Sequence, residues 1–213
     1  ALFTLLTTQQ RRRTMERDEF DLISYFTWPD IVVSFDVEFI GSGTDLITIT
    51  PPSGGQRTVA VTARGREGVD TIRVSIKVDD QVQEEIEYDL MPNIRGSHRV
   101  AWLNTHRSPE VYTFPLRKSV LIEATRRHME SVWGREAAAV EGASELKLLS
   151  AYEPEHQLKA LAEILHSPRV WLVEGLTVQD VMLTTDRVLL SPSEEMGIIE
   201  VDIRAAEEGV QLW

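Results

Sequence analysis

The sequence predicts a mainly β protein of the α+β type, in which an N-terminal β-sandwich is followed by a smaller α+β unit with one amphipathic helix. Between residues 30 and 118, apolar and polar residues alternate with the strand period of about two, and turn residues separate the segments evenly. Only one stretch, near residues 153–166, shows the helical period of about 3.6. The predicted organisation is therefore an N-terminal arm at 1–29, the sandwich at 30–118 and the α+β unit at 119–213.

The composition is that of a folded protein with an acidic surface. The 213 residues include 22 Lys and Arg against 34 Asp and Glu, which gives a net charge of −12 at pH 7. Such a surface repels phosphate backbones, so nucleic acid is not a predicted partner. No apolar run approaches the ~18 residues of a membrane span, so a membrane is not predicted as a partner either. The absence of cysteine excludes disulfides and thiolate metal sites and suits synthesis in a reducing cytoplasm.

Three short strands open the predicted sandwich. The first runs from Ile31 to Phe39, with apolar residues at every second position. Gly41-Ser42-Gly43 interrupts the alternation, which resumes from Leu46 to Thr50. Pro51-Pro52-Ser53-Gly54-Gly55 then turns the chain into a third strand, Val59 to Ala63.

A β-hairpin follows, with its turn at Asp79-Asp80-Gln81. The outer face of its first strand carries Arg73 and Lys77, and that of its second strand carries Glu85, Glu87 and Asp89. Opposite charges on adjacent strands contribute about 0.2–1 kcal/mol per pair. The charge pattern therefore supports this pairing.

The remaining strands are shorter and less regular. Arg99 to Asn104 and Glu110 to Leu116 are predicted to complete the sandwich. In the second half, Ser119 to Thr125 is compatible with a strand, whereas the alanine-rich segment Gly134 to Ser144 lacks a clear period and is predicted to be a loop or linker. Three later strands are predicted at Arg169–Val173, Val178–Thr184 and Ile198–Arg204.

The predicted helix runs from about Glu153 to His166. Pro154 suits its first turn, where the missing N–H would have no intrahelical partner. Pro168 enforces its end. One apolar stripe follows the i, i+3, i+4, i+7 spacing and consists of Leu158, Leu161, Ala162 and Leu165.

No motif of an enzyme active site is recognisable. The five histidines (His98, His106, His128, His156 and His166) include no His-x-x-x-His pair for zinc. Gly142-Ala143-Ser144-Glu145-Leu146 lacks the second glycine of a nucleophile elbow. Adjacent acids such as Glu84-Glu85 point to opposite faces of a strand. We therefore predict that the protein is not an enzyme and holds no cofactor or metal, and an acid pair assembled by the fold remains the alternative.

Tryptophan leaves a further alternative open, because flat rings can stack on sugars. Trp102 and Trp171 lie inside predicted strands, where core packing is the simpler interpretation. Trp28 and Trp133 are less constrained. A carbohydrate-binding sandwich is therefore a second hypothesis.

The first thirty residues contain the basic cluster of the chain and a group of aromatic residues. One interpretation is that the aromatic residues seal the sandwich of the same subunit. The other is that the segment is an arm reaching a neighbouring subunit, with aromatic anchors and with arginines that meet an acidic surface. We predict the second. The candidate assembly contacts are Arg11, Arg12, Arg13, Phe20, Tyr25, Phe26 and Trp28.

Arg99-Val100-Ala101-Trp102-Leu103-Asn104, followed by Tyr112-Thr113-Phe114-Pro115, resembles a segment of tail-region structural proteins of Bacteroidota phages and prophages. In those proteins a Trp-Leu-Asn strand leads through a turn to a Tyr-x-Phe strand. The resemblance extends over about Arg99 to Arg204, although the turn at Thr105-His106-Arg107-Ser108 lacks the expected glycine. It implies a virion or tail-like particle component made in the bacterial cytoplasm. Its implied partners are other copies of itself and other particle proteins, and it carries no active site.

The leading hypothesis is thus a structural subunit of a phage tail, baseplate or tail-like particle that acts by protein–protein assembly. The alternatives are a sandwich module that binds carbohydrate or a host surface, and a hydrolase with an unrecognised acid pair. An assembly subunit should form oligomers, and a binding module should be a monomer with an exposed aromatic patch. A hydrolase should have a deep pocket with perturbed carboxylates.

Overall fold

The computed structural model describes the backbone of residues 2–188 and 195–205, together with all side chains in these ranges except those of residues 124, 125, 131 and 136–143. The predicted mainly β fold is confirmed. The N-terminal strands are β1 Phe3–Leu5, β2 Arg12–Glu16, β3 Phe20–Thr27, β4 Val33–Gly41, β5 Thr44–Ile49, β6 Gly55–Thr62, β7 Val69–Val78 and β8 Gln81–Met91. The later elements are β9 His98–Leu103, β10 Pro109–Phe114, β11 Leu116–Ser131, β12 Gly134–Leu149, β13 Glu153–Pro154, α1 Glu155–Ala162, a 3-10 helix Glu163–His166, β14 Val170–Glu174, β15 Thr177–Leu183, β16 Met196–Gly197 and β17 Glu200–Ala205.

The first eight strands form a β-sandwich. One sheet has the order β2-β8-β7-β4-β5 and the other the order β1-β3-β6. Both contribute to one core, in which the ring centroids of Tyr25 on β3 and Phe35 on β4 lie 5.3 Å apart. Because β1, β2 and β3 are strands of these sheets, the prediction that residues 1–29 form a separate arm is wrong.

The second unit is a sheet of order β10-β9-β14-β15-β17-β12-β11 with α1 packed on it. The predicted sandwich boundary at residue 118 is therefore wrong, because β9 and β10 belong to this sheet. β9 pairs with β14, with Trp102 opposite Val170 and Val100 opposite Leu172. Residues 92–97, between β8 and β9, connect the two units. The tail of the predicted unit, at 189–194 and 206–213, lies outside the described residues.

Two local predictions are confirmed in detail. The turn between β7 and β8 consists of Asp79 and Asp80, with φ of 49° and 65°, the left-handed values that a two-residue hairpin turn requires. On the outer face, the Arg73 guanidinium lies between two β8 carboxylates, with Nε 3.1 Å from Glu85 and Nη2 3.6 Å from Glu87. The hairpin thus has the charge pairing that the sequence indicates.

The predicted helix is also present. It begins one residue after Pro154, whose φ is −68°, and its last turn is the 3-10 segment that ends at His166. Leu158, Leu161 and Ile164 are buried in the second core, and Leu165 packs against that core. The apolar stripe therefore covers the sheet as expected.

The segment Gly134 to Ser144 is a strand, so the predicted loop or linker there is wrong. Its backbone pairs continuously with β11, from Ser131 opposite Gly134 to Ile122 opposite Ser144. Alanine and glycine have a low intrinsic propensity for strands. The partner strand, and not the local composition, determines the extended backbone.

Candidate assembly surface

The β11–β12 hairpin extends beyond the sheet to which it belongs. Within the described residues, β17 pairs with β12 over Glu145–Leu149, whereas the β11–β12 pairing continues to the turn at Val132-Trp133. About ten residues of each strand thus form a two-stranded ribbon, which at ~3.3 Å per residue reaches roughly 33 Å.

The ribbon carries apolar side chains that are largely exposed in the described part of the chain. Every described side chain from Leu116 to Arg135 is exposed. The exposed fractions reach 79% for Ile122, 98% for Val132 and 89% for Trp133. The other large apolar side chains in this range are Leu116, Val120, Leu121 and Met129. Exposed apolar surface concentrated in this way makes the ribbon a candidate interaction surface.

The charge of the hairpin differs from that of the rest of the chain. Residues 116–149 contain six Lys and Arg against five Asp and Glu, a net charge of +1, whereas the other residues contain 16 against 29, a net charge of −13. Near the turn, Arg126, Arg127 and Arg135 outnumber Glu130. The hairpin therefore has a weakly basic end on an acidic protein.

The arginines predicted to contact a neighbour are neutralised within their own chain. β2 lies parallel to the acidic strand β8, so Arg11 Nε is 3.0 Å from Glu84 and Arg12 Nε is 2.9 Å from Asp89. Arg13 is buried, and its Nη1 is 2.7 Å from Asp21. Burial of Arg13 disfavours its charge, yet Asp21 and Glu110 outweigh this effect and raise its pKa. Arg13 is therefore an internal ion-pair partner and not an assembly contact.

The predicted aromatic anchors divide into buried and exposed residues. Tyr25 is 1% exposed and lies in the sandwich core, so it is not available to a neighbour. Phe20 packs where the two units meet, against Ala101 and Val111. Phe26 is half-buried, and its ring packs edge-to-face with that of Trp28, with the ring centroids 5.8 Å apart. Trp28 remains 54% exposed, and it is the predicted anchor that still faces solvent.

A buried carboxylate, Glu110 on β10, joins the N-terminal segment to the second unit. Its oxygens accept hydrogen bonds from Thr7 Oγ1 at 2.9 Å, Thr8 N at 2.6 Å, Gln9 Nε2 at 2.8 Å and Asn104 Nδ2 at 3.0 Å. Glu110 has no exposed surface. With its acceptor positions occupied by the chain itself, the carboxylate is structural.

A second polar group lies beside it and involves Arg99. Arg99 Nη1 is 3.1 Å from Glu19 and 2.6 Å from Thr113 Oγ1, and Arg99 also binds the Phe20 carbonyl. The contacts with Glu19 and Phe20 join residues 80 and 79 positions apart. Sequence reasoning missed both groups, because no local pattern links residues that meet only in the folded chain.

The chemistry of this junction does not favour catalysis. Its cavity, lined in part by Arg13, Arg99 and Glu153, has a volume of ≈10 Å³, about the space that one water molecule needs. A substrate has no room there. Within the described residues, no group of three or more potential ligands is placed to hold a metal ion. No helix in the described ranges is long and apolar enough to span a membrane.

Comparisons of the chain with protein families, with curated proteins and with solved structures give no match. Function is therefore inferred from the geometry of the chain itself.

Proposed function

We propose that this chain is a non-enzymatic structural subunit that works by assembling with other protein subunits, and that the β11–β12 hairpin is its assembly element. The observation that carries the proposal is the exposed apolar surface of a two-stranded ribbon that extends roughly 33 Å from its sheet. An isolated two-stranded hairpin is marginally stable in water. A partner that covers the ribbon stabilises it and removes this apolar surface from water.

The free energy gained by burying the exposed side chains of the ribbon favours association. Full burial of a side chain such as Val or Ile contributes about 1.5–3 kcal/mol. Ile122 and Val132 are 79% and 98% exposed, so covering these two residues alone offers several kcal/mol. That gain offsets a substantial part of the entropy lost when two proteins associate.

The narrower proposal is a subunit of a phage tail, baseplate or tail-like particle. It rests on the resemblance of Arg99–Asn104 and Tyr112–Pro115 to tail-region structural proteins. Trp102 and Phe114 of these segments are buried in the second core. The resemblance therefore concerns core residues, and it supports a second unit whose core is similar to that of the tail-region proteins.

Truncation of the hairpin tests the proposal. Residues 122–144 are replaced by Asn-Gly, which joins Leu121 to Glu145, a pair already opposite each other in the ladder. Asn-Gly is a favoured two-residue hairpin turn. We expect the wild-type chain to sediment as an oligomer at tens of micromolar and the truncated chain to sediment as a monomer. Electron microscopy of the wild-type assembly should show rings or tubes of uniform diameter.

The folding control is circular dichroism with urea unfolding of both proteins. Because the removed ribbon lies outside both cores, the truncated chain should keep a cooperative transition. A wild-type chain that is monomeric, or a folded truncated chain that still forms the same oligomer, would contradict the proposal.

A further inference from the structure

The end of the β11–β12 hairpin combines apolar and basic residues. We define the hairpin tip as residues 126–135. It exposes Met129, Val132 and Trp133. Three arginines and one glutamate give it a net charge of +2. A partner for this tip should present apolar surface beside carboxylates.

The same chain carries a surface of that kind at one end of the sandwich. We define the sandwich pole as Leu2, Trp28, Asp30, Val32, Asp79 and Asp80. Backbone hydrogen bonds bring these residues together, from Trp28 N to the Leu2 carbonyl at 3.3 Å and from Asp79 N to the Val32 carbonyl at 3.2 Å. Leu2, Trp28 and Val32 are 59%, 54% and 54% exposed.

The carboxylates of the pole are not used by the fold. Asp30, Asp79 and Asp80 are exposed, and none forms an ion pair within the described residues. Lys77, the nearest cation along the chain, is paired with Asp36. The turn itself does not require acids, because Asn-Gly adopts the same left-handed conformation at least as well. The charge of Asp80 also acts on Lys77 and helps to raise its pKa, so the chain offsets this carboxylate in part. The exposed Trp28 and Val32 share the pole with three exposed acids.

We propose that the hairpin tip of one copy binds the sandwich pole of a second copy. This inference rests on the proposed function, since it names the partner surface of the same assembly element. The tip has a net charge of +2 and the pole, with three aspartates and no Lys or Arg, a net charge of −3. Opposite charges favour tip–pole contact, and like charges disfavour tip–tip and pole–pole contacts.

This contact is heterologous, because the donating and accepting surfaces are different. Each copy can donate one tip and accept one tip, so copies join head to tail. Such contacts produce a closed ring when the rotation between copies closes and an open filament when it does not.

The experiment uses two variants of the full chain. In the tip variant, Arg126→Glu and Arg135→Glu reverse the charge of the tip. In the pole variant, Asp30→Asn, Asp79→Asn and Asp80→Gly remove the charge of the pole with residues that tolerate positive φ. We expect each variant to associate with itself at least about tenfold more weakly than wild type in sedimentation velocity. A control with Glu67→Gln, Glu174→Gln and Asp186→Asn removes three exposed charges elsewhere and should assemble like wild type.

Mixing the two variants is decisive. The tip variant retains an intact pole and the pole variant an intact tip, so at a concentration where each alone is a monomer the mixture should form a 1:1 dimer and nothing larger. A pole variant that assembles like wild type would overturn the inference, as would a mixture that remains monomeric. In both cases a hairpin truncation that still abolishes assembly would leave the proposed function standing. A monomeric wild-type chain would overturn both.

Discussion

At the scale of single residues, Glu153 shows how burial and hydrogen bonding oppose each other at the junction of the two units. Its carboxylate accepts hydrogen bonds from Tyr112 Oη at 2.9 Å and from Gln10 Nε2 at 3.2 Å. Burial raises the pKa of Glu153, and these two bonds and His156 only partly lower it. Burial, followed by the nearby Glu153 charge, also raises the pKa of Tyr112. Glu153 is thus held in a site that favours its neutral form.

This arrangement predicts a pH dependence for Glu153→Gln. A carboxyl whose folded-state pKa is raised contributes its full stability below its unfolded pKa of about 4.3 and loses it as the pH rises through the folded pKa. The glutamine is neutral at all pH values and does not lose this contribution. We therefore expect the free energy of unfolding of the variant, relative to wild type, to increase from about pH 4 to about pH 7 in urea titrations.

Glu155→Gln is the matched control, because its pH dependence has the opposite sign. The pKa of Glu155 is lowered by its hydrogen bond and charge interaction with Lys159, so its contribution is present at neutral pH and is lost as the pH falls. Equal slopes for the two variants would contradict the assignment of Glu153 to a site that favours the neutral acid.

At the scale of elements, α1 was predictable because its stripe and its boundaries are local. Leu158 and Leu161 lie one turn apart or less on one face, and both are buried against the second sheet. The segment Gly134 to Ser144 was not predictable in the same way. Its extended conformation depends on hydrogen bonds to β11, and alanine-rich composition does not reveal that partner.

The helix packing leads to a prediction for Leu161→Ala. Leu161 is 1% exposed, and truncation of a buried leucine costs about 2–5 kcal/mol. We expect the free energy of unfolding to fall by this amount in urea titrations. Leu176→Ala is the control, because Leu176 is 80% exposed and the same truncation there should change stability by less than about 0.5 kcal/mol. Equal losses in the free energy of unfolding at the two sites would contradict the prediction that burial of the helix stripe stabilises the second unit.

At the scale of the whole molecule, the first twenty-one residues connect two cores. β1 and β2 belong to the sandwich sheets. Between these strands, Thr7 and Gln9 donate hydrogen bonds to Glu110 of the second unit. The N-terminal segment is therefore an internal connection between the two units.

This connection predicts the effect of Glu110→Gln. The amide group of the new glutamine would point one of its N–H donors at the donors of Gln9 or Asn104, which leaves a buried polar group without an acceptor. Such a group costs about 1–3 kcal/mol. We expect a corresponding loss of stability and faster hydrogen exchange at residues 7–9 than in wild type. Glu174→Gln, at an exposed site, should leave both measurements unchanged, and unchanged exchange in Glu110→Gln would argue against the connection.

The candidate site was only partly predictable. The sequence predicted an assembly protein and an N-terminal set of contacts. Of the aromatic residues in that set Trp28 remains exposed, and Arg11 and Arg12 are exposed but paired with acids of their own chain. Arg13 was predicted to contact a neighbour together with Arg11 and Arg12, because an acidic neighbouring subunit would offer partners to all three arginines. Its burial depends on Asp21, which approaches it through pairing between strands. The exposure of the hairpin could not be inferred either, because it depends on how far neighbouring strands pair with it. In the described part of the chain, β17 pairs with β12 over Glu145–Leu149.

Features that depend only on neighbours along the chain could be predicted before the fold was known. These are the alternation of the strands, the turn at Asp79-Asp80, the stripe of α1 and the acidic net charge. Only the tertiary structure decided which sheet each strand joins and which charges are neutralised within the chain. It also decided which apolar residues remain exposed. The physical reason is that periodicity sets the orientation of a side chain within its own element, whereas pairing and burial depend on elements that lie up to about a hundred positions away, as Thr7 and Glu110 do.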